Sequence, residues 1–524
     1  MNRIIVSILF VTLLVGATIL PVTGTLTMSN NRKILSEKYA FSRLLKTHYD
    51  YVIITTDALV NSVKTFEIWK RLCGYSVKTV TLSWITDRYQ GRDSQEQIRN
   101  FLIDSYEEWG IKFVLFVGSR NTIPMREVHA IPAEFEEGYG SLFTDFYYAD
   151  LSGNWDADND GFFGEYKQDN VDFYPEIHVG RIPCDNPVLI QNITQRSKQF
   201  ESDKGSWKKN VLSLGAIIYY EKMESFNHIY DRSDGATLME ECQKDIFNPK
   251  GFTCCRMYEA DGISPSTYEY DYPLEYSTVV SEWTKGYGIV NMLGHASEKS
   301  ITRFVWDRDD GDSIPEISEG ELSYRVLLQK SDSQRLHLEK PPIVFTSGCS
   351  QLYTSNNMGR SFIENGAATA FIGSTDLSLY NITKVWNDES DGGAFSLCYY
   401  FFQFFIGDNQ KCGEALSNSK TFFYDHFWCT NESNYEWVWR CYSTVLGFTL
   451  YGDPALSFIH KRNEIYKEIL QQLEFYLMSN KTIQNQITIK DKILRLCDTI
   501  INNISILKIY SSKEGENNKN LDNY

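Results

Sequence analysis

Past residue 24, the 524-residue chain has no apolar run long enough to cross a bilayer, no cluster of basic residues and no cysteine pair at CxxC spacing. The first absence excludes a polytopic membrane protein. The second, with a formal net charge of -17, excludes a nucleic-acid binder, because a phosphate backbone would be repelled. The third removes the zinc-ribbon and thioredoxin readings of the cysteines. The chain is not short of apolar residues: 42% are hydrophobic against 23% charged, the balance of a globular protein, and the length implies about two to four domains.

The apolar run that does exist is at the start. "MNRIIVSILFVTLLVGATILPVTG" carries one basic residue, Arg3, then a run from Ile4 to Leu20 and small residues to Gly24, the layout of a secretory signal peptide, with a signal anchor as the alternative. Export predicts an oxidising compartment for the eleven cysteines, and an odd number leaves at least one thiol unpaired. The expectation is that Cys349 is the unpaired one and that the other ten are available for pairing, with Cys429 and Cys441 closing an aromatic loop and the adjacent Cys254 and Cys255 not bonded to each other.

From Tyr49 onward, short β-rich runs alternate with helical periods. "YDYVIITT", "YSVKTVTL", "IKFVLFVG" and "EIHVGRIP" read as strands of a first block over 49–204, with an acidic insertion before the last. A second block over 205–460 runs through "KKNVLSLGAII", "FTCCRMY", "GYGIVNMLGH", "PPIVFTSGCS" and "AATAFIGST". The predicted class is α/β, two blocks with mostly parallel sheets. They are preceded by a segment over 25–48 and followed by a helical extension over 461–510 and a polar tail over 511–524.

Two of these strands end alike. "IVNMLGH" breaks at Gly294 and presents His295; "IVFTSGCS" breaks at Gly348 and presents Cys349. Open α/β sheets build sites at the carboxyl ends of their strands, and an imidazole beside a thiol supplies the base and nucleophile of a covalent mechanism. The glycines permit sharp turns whose amides can face a developing oxyanion.

The pair "LGHAS" and "FTSGCS", about fifty residues apart, resembles the His-Gly and Cys motifs of caspase-like cysteine peptidases. "FVLFVGSRNTIPMREV", "YYADLSGNWDADNDGFFGE", "FYPEIHVGRIPCDNP" and "LYGDPAL" bring it closer to the gingipain branch. The resemblance spans roughly 49–459 and implies two caspase-like subdomains, the second catalytic. Cys349 would be the nucleophile of a peptide-bond hydrolase forming a thioester, His295 the proton donor, and backbone amides at Ala296 and Cys349 the oxyanion site. Ala296 stands where the family usually has Gly. Were that position to need positive φ, its methyl would cost about 1 kcal/mol and suggest an inactive binding or surface protein of the same fold. A peptidyl transferase using the same dyad is the third reading.

Two further readings concern carboxylates. In "DADNDGFFGE", Asp156, Asp158, Asp160 and Gly161 match the first half of a calcium loop, with Phe162 where such loops use a backbone carbonyl. The twelfth position is Lys167, so Glu165, Asp169 or Asp172 would have to complete the shell of a structural Ca2+. "WDRDDGD", with Asp307, Asp309, Asp310 and Asp312, is a less regular second run. The resemblance also implies that an acidic residue in "YYEKMESFNHIYDRSDGATL" selects a basic substrate side chain. Asp231 and Asp234 lie in that region, Glu221 could orient His295, and Asp234 reads equally well as a helix cap. The expected partner is a peptide or protein, with no nucleic acid and no membrane span once the leader is removed.

Overall fold

The structure, a computed structural model, describes residues 48–130, 140–223, 232–379, 393–428 and 435–458, without the side chains of 427–428 and 435–439. The leader, the C-terminal extension and tail, Asp231 and Cys429 lie outside the described residues.

Along the first block run β1 (Tyr51–Thr55), β2 (Val77–Thr81), β3 (Phe113–Val117), the short pair β4 (Arg126–Val128) and β5 (Leu142–Thr144), and β6 (His178–Ile182). The second block adds β7 (Asn210–Gly215), β8 (Ile217–Tyr219), β9 (Ser233–Asp234), β10 (Thr253–Tyr258), β11 (Tyr272–Pro273) and β12 (Ile289–Leu293). It continues with β13 (His295–Ala296), β14 (Ser300–Trp306), β15 (Leu322–Gln329), β16 (Ile343–Thr346), β17 (Ala370–Ser374) and β18 (Phe448–Tyr451).

Eleven of these strands form one sheet in the order β11-β10-β7-β12-β16-β17-β18-β6-β3-β1-β2. All its pairings are parallel except that of β18 with β17. Strands β1, β3, β12 and β17 are buried at every position, which is why they read as continuous apolar runs: helices cover both faces of a parallel sheet. Helix caps explain the helix boundaries. Asp93 accepts from Glu96 N–H at the start of Ser94–Trp109, and Asn186, followed by Pro187, caps Pro187–Ser202.

The two blocks meet at β18. Tyr451 pairs with Arg181 of β6, and a methyl on Gly180 would lie 2.5 Å from the Gly452 carbonyl oxygen, so only glycine allows this approach. Just beyond, Asp453 accepts from Tyr51 Oη at 2.8 Å and pairs with Lys70, whose ammonium also lies 3.0 Å from Glu201. All three charged groups are buried, so removing one would leave its partners uncompensated, a loss of about 3–5 kcal/mol. The "LYGDPAL" motif is thus the fastening between the two halves of the sheet.

The expectation of paired cysteines is corrected. The nine described cysteines, Cys73, Cys184, Cys242, Cys254, Cys255, Cys349, Cys398, Cys412 and Cys441, are all thiols. Most are buried or half-buried among apolar side chains, where a cysteine behaves as a small hydrophobe.

Candidate active site

Strands β12 and β16 are parallel neighbours, with Ile289 opposite Ile343 and Met292 opposite Thr346. The Ser347 N–H donates to the Met292 carbonyl at 2.9 Å, the closing bond of that ladder. Beyond it the turns at Gly294 and Gly348 lie against each other, His295 following the one and Cys349 the other in sequence. The contact is close. A methyl on Gly348 would lie 2.7 Å from the Ala296 Cβ, 2.7 Å from the Gly294 carbonyl oxygen and 2.5 Å from Gln351 Nε2. Glycine at 348 is what lets the two turns touch.

The Cys349 thiol is held by the backbone of Ser378, whose N–H donates to Sγ at 3.4 Å while Sγ–H faces its carbonyl at 3.9 Å. Burial raises its pKa, the Ser378 N–H opposes that shift, and the Asp376 carboxylate adds to it. Cys349 is therefore a protonated thiol at rest, not the preformed thiolate that an adjacent imidazolium would maintain. Ser350, immediately after it, has φ 58°, an unusual conformation for a non-glycine residue that costs about 1–2 kcal/mol and turns the chain directly after Cys349. Within the turn, the N–H groups of Ser347, Gly348 and Ser350 donate to Met292 O, Thr346 Oγ1 and Asp376 O. The Cys349 amide is the member of that series with no acceptor among the described residues.

His295 opens β13, which pairs with β14. Its Nε2 lies 2.9 Å from the Ile218 carbonyl. A carbonyl only accepts, so Nε2 carries the proton and Nδ1 the lone pair. Burial lowers the ring's pKa, the Ile218 carbonyl partly opposes the shift, and the imidazole is neutral at pH 7. Around it stand the rings of Tyr219, Phe304 and Tyr324, at centroid distances of 5.7, 4.7 and 6.3 Å. Ala296 is not among the positive-φ residues, so its methyl carries no backbone strain.

The remaining candidates separate. Glu221 lies exposed in a turn and makes no hydrogen bond to His295, whose ring is oriented by Ile218 instead. Asp234 caps the helix Gly235–Glu241 by accepting from Ala236 N–H at 3.0 Å, and its other oxygen lies 3.6 Å from the Arg232 guanidinium.

In the acidic insertion, ligand atoms of Asp156, Asp158 and Asp160 lie within 4.8 Å of one another. Asn159 and Gly161, at φ 64° and 89°, provide the bends. Asp156 also pairs with Arg92 and accepts from Gly161 N–H. One buried oxygen of Glu165 has no hydrogen-bond donor, and its carboxyl is raised by burial and by Asp160, Asp169, Asp158 and Asp156. Asp169 accepts instead from the N–H groups of Ala157 and Glu165, and the Phe162 amide donates to Asp160. In the second run, Asp309, Asp310 and Asp312 come together, while Asp307 pairs with Arg325.

Sequence reasoning missed Ile218 and Ser378, which act through backbone atoms and leave no side-chain signature, and the ring cage, whose members are far apart in the chain.

Residues 44–459 match the model of peptidase family C25. No curated protein matches the chain. Among solved structures, the chain is similar to that of the Arg specific cysteine proteinase gingipain R, at 15% identity and a TM-score of 0.53 over 78% of each chain. It is also similar to the complex of RgpB pro- and mature domains from Porphyromonas gingivalis, at 14% identity and a TM-score of 0.51 over 78% of this chain and 79% of that one. At these identities the likeness shows a shared fold: one large, mostly parallel sheet covered by helices, consistent with a caspase-like architecture.

Proposed function

Because the chain belongs to peptidase family C25 and is a cysteine endopeptidase, we propose that Cys349 is its nucleophile and that His295 delivers the proton to the leaving amine. The observation that supports this is the contact between the glycine turns that end the paired strands β12 and β16, since His295 follows one turn and Cys349 the other.

The chemistry follows from a neutral thiol and a neutral ring. As Sγ bonds to the scissile carbonyl carbon, the thiol proton passes to His295 Nδ1, and the carbonyl oxygen becomes an oxyanion facing the Cys349 amide, with the Ala296 amide as the second donor. Nδ1–H then protonates the departing nitrogen, the C–N bond breaks and a thioester remains. Water adds to the thioester, the C–S bond breaks, and Cys349 recovers its proton. A C349A variant should lose hydrolysis entirely; retained hydrolysis would refute the assignment.

Three extensions belong to the same reading. The sequence of the first 24 residues supports export. Among the described residues no helix is long and apolar enough to cross a membrane. Cleavage after basic residues is supported by the acidic segment before Gly235 and by the solved relative described as Arg specific. Since Asp234 is engaged as a cap and with Arg232, Asp231 is the residue we assign to selecting the basic side chain. Calcium fits the 156–165 loop: three clustered carboxylates and a buried, undonated Glu165 oxygen are the hard oxygen ligands it takes, with the Phe162 carbonyl as a further donor. The ion would offset their mutual repulsion and fix the insertion.

A further inference from the structure

The small antiparallel sheet that begins at His295 has two unlike faces. On one, Arg303 pairs with Glu259 and Asp261, and Arg325 pairs with Asp261 and Asp307, which fastens the sheet to the loop after β10. Strand register puts the other set of residues together: His295 is opposite Thr302, Thr302 opposite Val326, and Phe304 opposite Tyr324. At the Leu322 end this second face is covered, with Phe304 and Leu322 buried against Ile217, Tyr220 and Met223. At the His295 end it is open. Tyr324 is 59% exposed and Val326 41% exposed, although the Tyr324 ring lies tilted against the buried Phe304 ring at a centroid distance of 4.0 Å and 6.3 Å from the His295 ring.

An exposed tyrosine and valine, backed by a buried phenylalanine and contiguous with the imidazole, form an apolar platform of a kind that soluble surfaces usually cover or use. Its place relative to the chemistry says what covers it. The nitrogen that leaves must lie between the attacked carbonyl and the imidazole that protonates it. The peptide past that nitrogen would therefore run on past His295, and the face of β14 and β15 that carries Tyr324 and Val326 is continuous with His295 through its pairing with Thr302.

We infer that Tyr324 and Val326, supported by Phe304, form the subsite for the substrate residues just after the scissile bond, and that it selects bulky apolar or aromatic side chains. The inference rests on the assignment of Cys349 and His295 and deepens it. Tyrosine suits the task because its rigid ring offers a large contact area with little conformational entropy to lose, and edge-to-face or offset contact with an incoming ring adds to area burial.

The test is a peptide series with a constant acyl side and Phe, Leu, Gly or Asp as the first or second residue after the scissile bond. It is read as kcat/KM for the wild-type chain and for the variants Tyr324→Ser, Tyr324→Phe and Val326→Ser. The expected result is a preference of about tenfold or more for Phe and Leu over Gly and Asp at one of these positions. That ratio falls toward one in Tyr324→Ser, is reduced in Val326→Ser and is kept in Tyr324→Phe. Hydrolysis of all peptides with no preference overturns this inference and leaves the dyad standing, as does a preference that survives both serine variants. Failure of the wild-type chain to hydrolyse any of them, under conditions where it remains folded, overturns the dyad and the subsite together.

Discussion

His295 and Cys349 stand at the same offset as the paired residues of the strands that carry them, fifty-four positions apart like Ile289 and Ile343. The ladder between β12 and β16 brings into contact the two glycine turns that these residues follow. Rigid strands place such groups more precisely than loops can.

Both groups are neutral at rest, and the first prediction follows. Burial lowers the His295 pKa, so the acid limb of kcat/KM for the free enzyme should lie below the ordinary imidazole value of about 6.5. Burial raises the Cys349 pKa, so its alkylation by iodoacetamide should still be accelerating above pH 8.5. In His295→Ala, hydrolysis should fall by about 10²–10⁴ while the alkylation profile hardly moves, because the ring does not maintain a thiolate. An alkylation plateau below neutral pH, lost on removing the imidazole, would show an ion pair instead.

Gly348→Ala puts a methyl against Ala296, the Gly294 carbonyl and Gln351. Overpacking of this kind costs about 1–3 kcal/mol, and here it forces the two turns apart. The expected outcome is a lower melting temperature and a loss of activity larger than the stability change explains. Ala296→Gly, at a position with no backbone strain, should hydrolyse substrate within a few-fold of the wild-type rate.

If the 156–165 loop holds Ca2+, chelation should lower the melting temperature and millimolar calcium should restore it, since an ion bound only by the folded state stabilises by mass action. Asp158→Asn with Asp160→Asn should remove the calcium response without a matching loss of activity in the folded enzyme. A melting temperature indifferent to calcium in the unmodified chain would leave the loop an acidic turn.

Asp234→Asn should keep both stability and the preference for basic residues, because asparagine caps a helix about as well as aspartate. Asp231→Asn should reduce kcat/KM on Arg and Lys substrates by tenfold or more while leaving alkylation of Cys349 intact. Steady-state kinetics on matched basic and neutral peptides separate the two, and loss of the preference in Asp234→Asn would reverse the assignment.

Much of this was legible in the sequence because strands buried on both faces must be apolar throughout and must turn at glycine where they surface. That is how "IVNMLGH" and "IVFTSGCS" disclose the carboxyl ends of two neighbouring strands and the imidazole and thiol that follow them. The place of β18 was not legible: Phe448–Tyr451 inserts between β17 and β6, strands distant in the chain, and no local pattern encodes that pairing. Nor was the orienter of His295. A carboxylate at 221 is a natural candidate on paper, but the Ile218 carbonyl does the work, and a backbone oxygen looks the same at every residue. The cysteine count misled because apolar burial, as at Cys242, Cys398 and Cys412, accommodates thiols without bonding them.

The most direct test is covalent capture. Incubating the folded chain with a peptidyl acyloxymethyl ketone bearing Arg next to the reactive carbon, then digesting it and identifying the modified peptide by mass spectrometry, reports which sulfur attacks. The account predicts one adduct, on Cys349, absent from Cys349→Ala and strongly slowed in His295→Ala. An adduct on any of the other cysteines, or hydrolysis that persists in Cys349→Ala, would contradict it.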